Sequence, residues 1–155
     1  MRERQAYRNR LDSLFRQISN LSDDLYLQSN LVKLACVLVC GFIEVSLRDI
    51  LQEYTRTRAS AEVAKYVSRQ LEWFRNPNME LILQLVGAFS SDWRMSMESE
   101  TQGRLKLQVD SLVNDRNQIA HGRDVRLSYA ELQEYYQSAL DVIELVEKQC
   151  GAGSL

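Results

Sequence analysis

A chain of 155 residues with 45% hydrophobic and 26% charged side chains is large enough for one packed core and too apolar to stay disordered. Its single proline and six glycines argue against the turn-dense pattern of an all-β protein. A net charge of −2 excludes a global basic field, so any nucleic-acid contact must rest on a local patch.

The N-terminal run Met1-Arg2-Glu3-Arg4-Gln5 is charged and has no apolar core after it, unlike a secretory signal. Tyr7, Leu11, Leu14, Phe15, Ile18, Leu21 and Leu25 recur at helical spacing and predict a first amphipathic helix. Arg2, Arg4, Arg8 and Arg10 fall on its other face, either as a solvated surface or as part of a patch for an RNA backbone. Ser29-Asn30 precedes a second helix from Leu31 to about Tyr54, apolar nearly all round through Ile43 and expected to be covered on several sides. The stretch from Leu31 to Leu47 contains Lys33 and Glu44 and reads as a buried central helix, short of a comfortable membrane span.

Cys36 and Cys40 lie one turn apart in that apolar run. With Cys150 they make an odd set without framework spacing, which indicates reduced thiols and a cytoplasmic setting, the pair packing in the core. Metal binding would need more ligands than a single histidine can add, so no metal and no cofactor is expected. Glu44 comes directly after ten apolar or small residues and is expected to answer another charge. Arg48 follows one turn later and can pair with it across the helix surface.

A polar linker from Thr55 to Ser60 leads to a third helix, Ala61 to Phe74, with Val63, Tyr66, Val67, Leu71 and Phe74 as its inward residues. Asn76-Pro77 breaks the chain, and Asn78 can cap a short fourth helix, Met79 to Phe89. Ser90 to Gly103 reads as a short helix followed by a loop, with Trp93, Met95 and Met97 either packed inward or presented as a contact surface. A fifth helix runs from about Arg104 to His121. Ser128 and Glu131 form a capping box for the last helix, whose stripe is Leu132, Tyr136, Ala139, Leu140, Ile143 and Val146. The result is an all-α, up-and-down bundle of about five to six helices over residues 1–150, with a disordered tail at 151–155.

The fifth helix carries the chemistry. At about 100° per residue, Leu105, Val109, Leu112, Val113, Ile119 and Ala120 share one stripe, and Arg116 falls in its middle. A guanidinium cannot discard its proton, so on an apolar face it requires an anionic partner, a wet cleft or a subunit boundary. Asn117 and His121, the only histidine, lie four residues apart beside it, and Gly122 ends the helix. A structural ion pair and a helix-capping histidine would also account for these residues.

The run Arg116-Asn117-Gln118-Ile119-Ala120-His121-Gly122 resembles the motif of HEPN domains, an arginine and a polar residue followed by a histidine. With Asn114-Asp115 before it, the run is most similar to the RiboL-PSP-HEPN branch. The resemblance implies a HEPN-like helical bundle and a metal-independent endoribonuclease with a composite site at a homodimer interface. It further implies 2′,3′-cyclic phosphate products and a role as a toxin or defence effector. Arg116 would stabilise the phosphate, and His121 would serve as acid or base. Asn117 would position the substrate or His121, and Glu44 would orient Arg116. Arg48, Arg123 and Arg126 would bind RNA. A two-fold dimer would also supply a second imidazole. The alternative is a non-catalytic HEPN-like module that binds a nucleotide or a partner protein such as a nucleotidyltransferase antitoxin. No membrane partner is expected.

Overall fold

A computed structural model of the chain describes residues 2–151. Seven helices follow one another with no strand among the described residues: α1 (Arg2–Ser19), α2 (Leu25–Arg58), α3 (Ala61–Leu71), α4 (Met79–Phe89), α5 (Ser91–Thr101), α6 (Arg104–Ala120) and α7 (Tyr129–Gly151). The helical bundle expected from periodicity is present, with more helices than the five or six anticipated. One of them is α5, where a short helix followed by a loop was expected and the helix runs through to Thr101. Ser90 caps it by accepting from the Trp93 amide at 3.3 Å. Within it Met97 is buried while Met95 stays exposed.

α2 is the axis of the fold and packs against α1, α3, α6 and α7. Its buried residues include Val32, Cys36, Val39, Phe42, Ile43 and Leu47. Each such aliphatic or aromatic side chain contributes on the order of 1.5–3 kcal/mol when fully removed from water. Phe15 stacks on Tyr136 with ring centroids 4.8 Å apart, joining α1 to α7 behind α2. At Gly41 an added Cβ would lie 2.7 Å from the Tyr7 hydroxyl, so glycine permits α1 to come this close. That hydroxyl donates to the Leu38 carbonyl at 2.8 Å.

α2 is longer at both ends than its apolar run suggests. Asp24 caps it by accepting from the Leu27 amide at 3.0 Å, so the helix starts at Leu25 and runs through Ser29-Asn30. Leu21 and Leu25 accordingly lie outside α1, which stops at Ser19. At the other end Thr55 and Thr57 donate back to carbonyls of their own helix, and Arg56 pairs with Glu53 at 2.6 Å, so the expected linker is helical through Arg58. At 34 residues α2 is long and apolar enough to cross a membrane by length and composition, against the expectation of a stretch too short to span. Half of its most apolar window is buried inside the fold.

α4 begins and ends where the sequence places it, with Asn78 accepting from the Leu81 amide at 2.9 Å. Glu131 donates its amide to Ser128 at 3.1 Å, as the capping box requires. α3 departs from expectation. It stops at Leu71, short of Phe74, and Asn76 takes a left-handed φ of 49° before Pro77. Val63 and Tyr66, expected to face inward, are 51% and 64% exposed. The tail assigned to 151–155 lies outside the described residues except Gly151, which is the last residue of α7.

Candidate active site

The motif sits at the C-terminal end of α6, held between α2 and α7. Val109, Leu112 and Val113 bury one face of α6, and the Cys36 thiol lies 3.9 Å from the Leu112 carbonyl. On the α7 side the Tyr135 hydroxyl donates to Asp115 at 2.7 Å, which fixes the rotation of α6 one residue before Arg116. Burial, then that bond to the carboxylate, pushes the Tyr135 phenol well above its usual range.

Arg116 is half-buried, as its place on the apolar stripe implies. Side chains on a helix lean toward its N-terminus, which carries the guanidinium back along α2. Burial pushes the thiols of Cys36 and Cys40 up to about 12, and the positive charge of Arg116 pulls both down in part. Arg116 makes no ion pair among the described residues. Its Nη1 donates to Asn117 Oδ1 at 3.3 Å. The polar residue of the motif thus supports the guanidinium directly, and the two side chains present a planar donor set without a carboxylate to neutralise it.

His121 caps α6, its amide donating to the Asn117 carbonyl at 3.1 Å, and its imidazole is exposed. Gly122 follows at φ 70°, a conformation glycine adopts without a Cβ penalty, and turns the chain away so that the ring stays open to solvent. Ala120, expected on the buried stripe, is exposed beside it, while Ile119 is half-buried. Past the turn, Arg123 donates to Gln118 at 3.0 Å and Arg126 is exposed. Lys33 of α2 reaches Asp124 at 3.5 Å and ties this loop to the first half of α2. Lys33 and Arg123 thus make their contacts with the residues flanking His121, at Asp124 and Gln118.

Two residues assigned to the site from sequence make their hydrogen bonds with other groups. Glu44 makes no ion pair with Arg116 among the described residues. Its Oε1 instead accepts from the Asn76 amide at 2.8 Å, satisfying the backbone of the left-handed turn before Pro77. Arg48 donates from Nε to the Glu44 carbonyl at 3.3 Å, not to its carboxylate, and lines a cleft with Glu3 and Glu72. It stands two turns beyond Cys40, about 12 Å along α2, so one protomer does not bring it to the motif. Of the N-terminal arginines, Arg4 pairs with Glu147 at 2.8 Å and Asp49 at 3.9 Å, and Arg8 with Asp12 at 4.0 Å. Sequence reasoning missed Asp115, Tyr135 and Lys33. Only Asp115, adjacent to the motif, gave any signal.

A family model described as RiboL-PSP-HEPN matches residues 3–152. No curated protein and no solved structure matches the chain. HEPN domains are generally of the ribonuclease type and commonly dimerise and bind RNA. The match spans every described residue but Arg2 and includes the Arg116–His121 motif, and the chain belongs to the RiboL-PSP-HEPN family.

Proposed function

We propose that the protein is a metal-independent endoribonuclease whose cleft forms between two copies of the chain, acting as a toxin or defence effector in the cytoplasm. The observation that carries this reading is Arg116, a half-buried guanidinium with no ion pair among the described residues, five positions before an exposed imidazole. A cation held in that way is available to a phosphate, which its planar fork can grip with two bonds.

Cleavage needs three events. The 2′-hydroxyl loses a proton as its oxygen attacks the adjacent phosphorus, negative charge accumulates on the phosphate, and the departing 5′-oxygen gains a proton. The products are a 2′,3′-cyclic phosphate and a 5′-hydroxyl. Imidazole suits both proton transfers because it titrates near neutrality. In a two-fold dimer one His121 accepts the 2′-proton and the other protonates the leaving oxygen, while the two Arg116 side chains hold the phosphate. Asn117 keeps Arg116 in place, and Lys33, Arg123 and Arg126 bind flanking phosphates. Apolar surface for a self-complementary interface lies nearby, with Leu27 and Leu34 41% and 48% exposed on the turns of α2 around Lys33.

The second reading, a non-catalytic module for a nucleotide or a partner such as a nucleotidyltransferase antitoxin, is favoured by the net charge of −2. RNA cleavage in EDTA by wild type and His121→Ala separates the two. The nuclease reading expects activity in the first and loss of about 10²–10⁴-fold in the second. Equal cleavage by both would remove His121 from the mechanism.

A further inference from the structure

An acid stands next to the arginine of the motif, and the two do not pair. Asp115 and Arg116 follow Leu112 at the i+3 and i+4 positions of α6, so both are its neighbours on the helix surface. Side chains on a helix lean toward its N-terminus, which brings both toward the Cys36 thiol, 3.9 Å from the Leu112 carbonyl. Both charges act on that thiol, Asp115 raising it and Arg116 lowering it. Among the described residues no ion pair joins them. The Asp115 carboxylate instead turns to α7 and accepts from the Tyr135 hydroxyl at 2.7 Å, while Arg116 donates to the neutral amide of Asn117. The other acids of this region are placed as follows. Glu44, whose charge acts on Cys40 together with that of Arg116, accepts from the Asn76 amide at 2.8 Å. Asp124 pairs with Lys33 at 3.5 Å. Glu131, one turn before Tyr135 on α7, is exposed and pushes the Tyr135 phenol up.

On the reading of Arg116 as the group that binds phosphate, we propose that Tyr135 is a positioning residue for the motif: its hydroxyl holds the Asp115 carboxylate on α7 and so keeps Arg116 uncompensated for an incoming phosphate. A phenol suits this task. It donates a hydrogen bond and carries no charge, so it satisfies a carboxylate without adding a second cation. Burial keeps its proton in place. Tyr135 is itself fixed, 9% exposed on the core face of α7 beside Leu132 and Ala139. Asp115 is only half-buried, so without that bond its short side chain is able to turn toward the guanidinium on the next residue. An ion pair formed there competes with phosphate for the same planar fork of donors.

The test measures binding of a 2′-O-methyl RNA oligonucleotide by fluorescence anisotropy. This probe carries phosphates but no 2′-hydroxyl, so it is bound without being cut. Arg116→Ala weakens binding and identifies the share that the arginine holds. Tyr135→Phe weakens it about tenfold, and Asp115→Asn keeps it at the wild-type level. The double variant Tyr135→Phe with Asp115→Asn restores it, because asparagine has no charge with which to neutralise Arg116. Both Tyr135 variants lack the phenol, so a bond that acted only on the stability or rotation of α6 would weaken both alike. That result overturns the proposal, as does wild-type affinity in Tyr135→Phe or in Arg116→Ala. Cleavage of unmodified RNA in EDTA is read separately. A wild type that binds through Arg116 and shows the restoration without cleaving removes the nuclease reading alone, and a wild type that cleaves without the restoration removes this proposal alone.

Discussion

The two ends of α2 are unlike surfaces built on one rod. Near Lys33 charge is the distinguishing feature, with Leu27 and Leu34 exposed on the neighbouring turns. A guanidinium there lacks an ion pair among the described residues, an imidazole is open to solvent, and Lys33 reaches the loop that follows it. Around Thr55 the neighbours are aromatic and aliphatic. Between them the packed core of α1, α2, α6 and α7 holds both ends in fixed register. Charge that the fold does not neutralise at one end is suited to an anion, and apolar area at the other is left uncovered.

The largest expected effect is at the polar end. Arg116→Ala and His121→Ala each lower RNA cleavage by about 10²–10⁴-fold, measured by product formation in EDTA. His121 is exposed, so its replacement is expected to leave the melting temperature unchanged. A core substitution reverses the pattern. Leu47→Ala, fully buried in α2, costs about 2–5 kcal/mol by denaturant unfolding and acts on both ends together.

Two substitutions sharpen the boundary between site and scaffold. Tyr135→Phe removes the bond to Asp115 and costs about 1–3 kcal/mol, the penalty of leaving a part-buried acceptor without its donor. Cleavage falls with it if the rotation of α6 positions Arg116. Glu44→Gln weakens the hold on the Asn76 amide by about 0.5–1.5 kcal/mol and leaves cleavage unchanged, because Glu44 serves a turn and not the guanidinium.

A last effect, read by pH and by alkylation, is on the thiols. Cys36 and Cys40 are raised from the ordinary 9.0 to about 12 by burial. An unfolded chain therefore releases these protons first as pH rises from 9 toward 12. The stability they contribute is present below pH 9 and is lost across that interval. At pH 9 the folded protein resists alkylation at both positions, whereas the chain in guanidinium reacts at all three cysteines.

Much of this architecture is legible in the residues. Met79–Phe89 is bounded by Pro77 and the Asn78 cap, and the stripes of α6 and α7 place their buried faces. Arg116 stands out because a cation interrupts an apolar period. The ends of α2 are less legible, since Ser29-Asn30 and Thr55–Arg58 are polar and continue the helix only through a cap and hydroxyl back-bonds. Glu44 misleads because charge logic seeks a charged partner, and its actual partner is a backbone amide 32 residues away. α3 misleads because periodicity reports a face that needs covering, not whether this chain covers it.

The central claim is that the motif works as a shared site of two protomers, and mixing two inactive variants tests it most directly. Arg116→Ala and His121→Ala, each inactive alone, are unfolded together, refolded as a mixture and assayed on RNA in EDTA. A shared cleft predicts that mixed dimers, which retain one intact arginine and one intact histidine, cleave above either parent and well below wild type, since one of the two proton transfers lacks its imidazole. A mixture as inactive as either parent, beside an active wild type that sediments as a monomer, would contradict it.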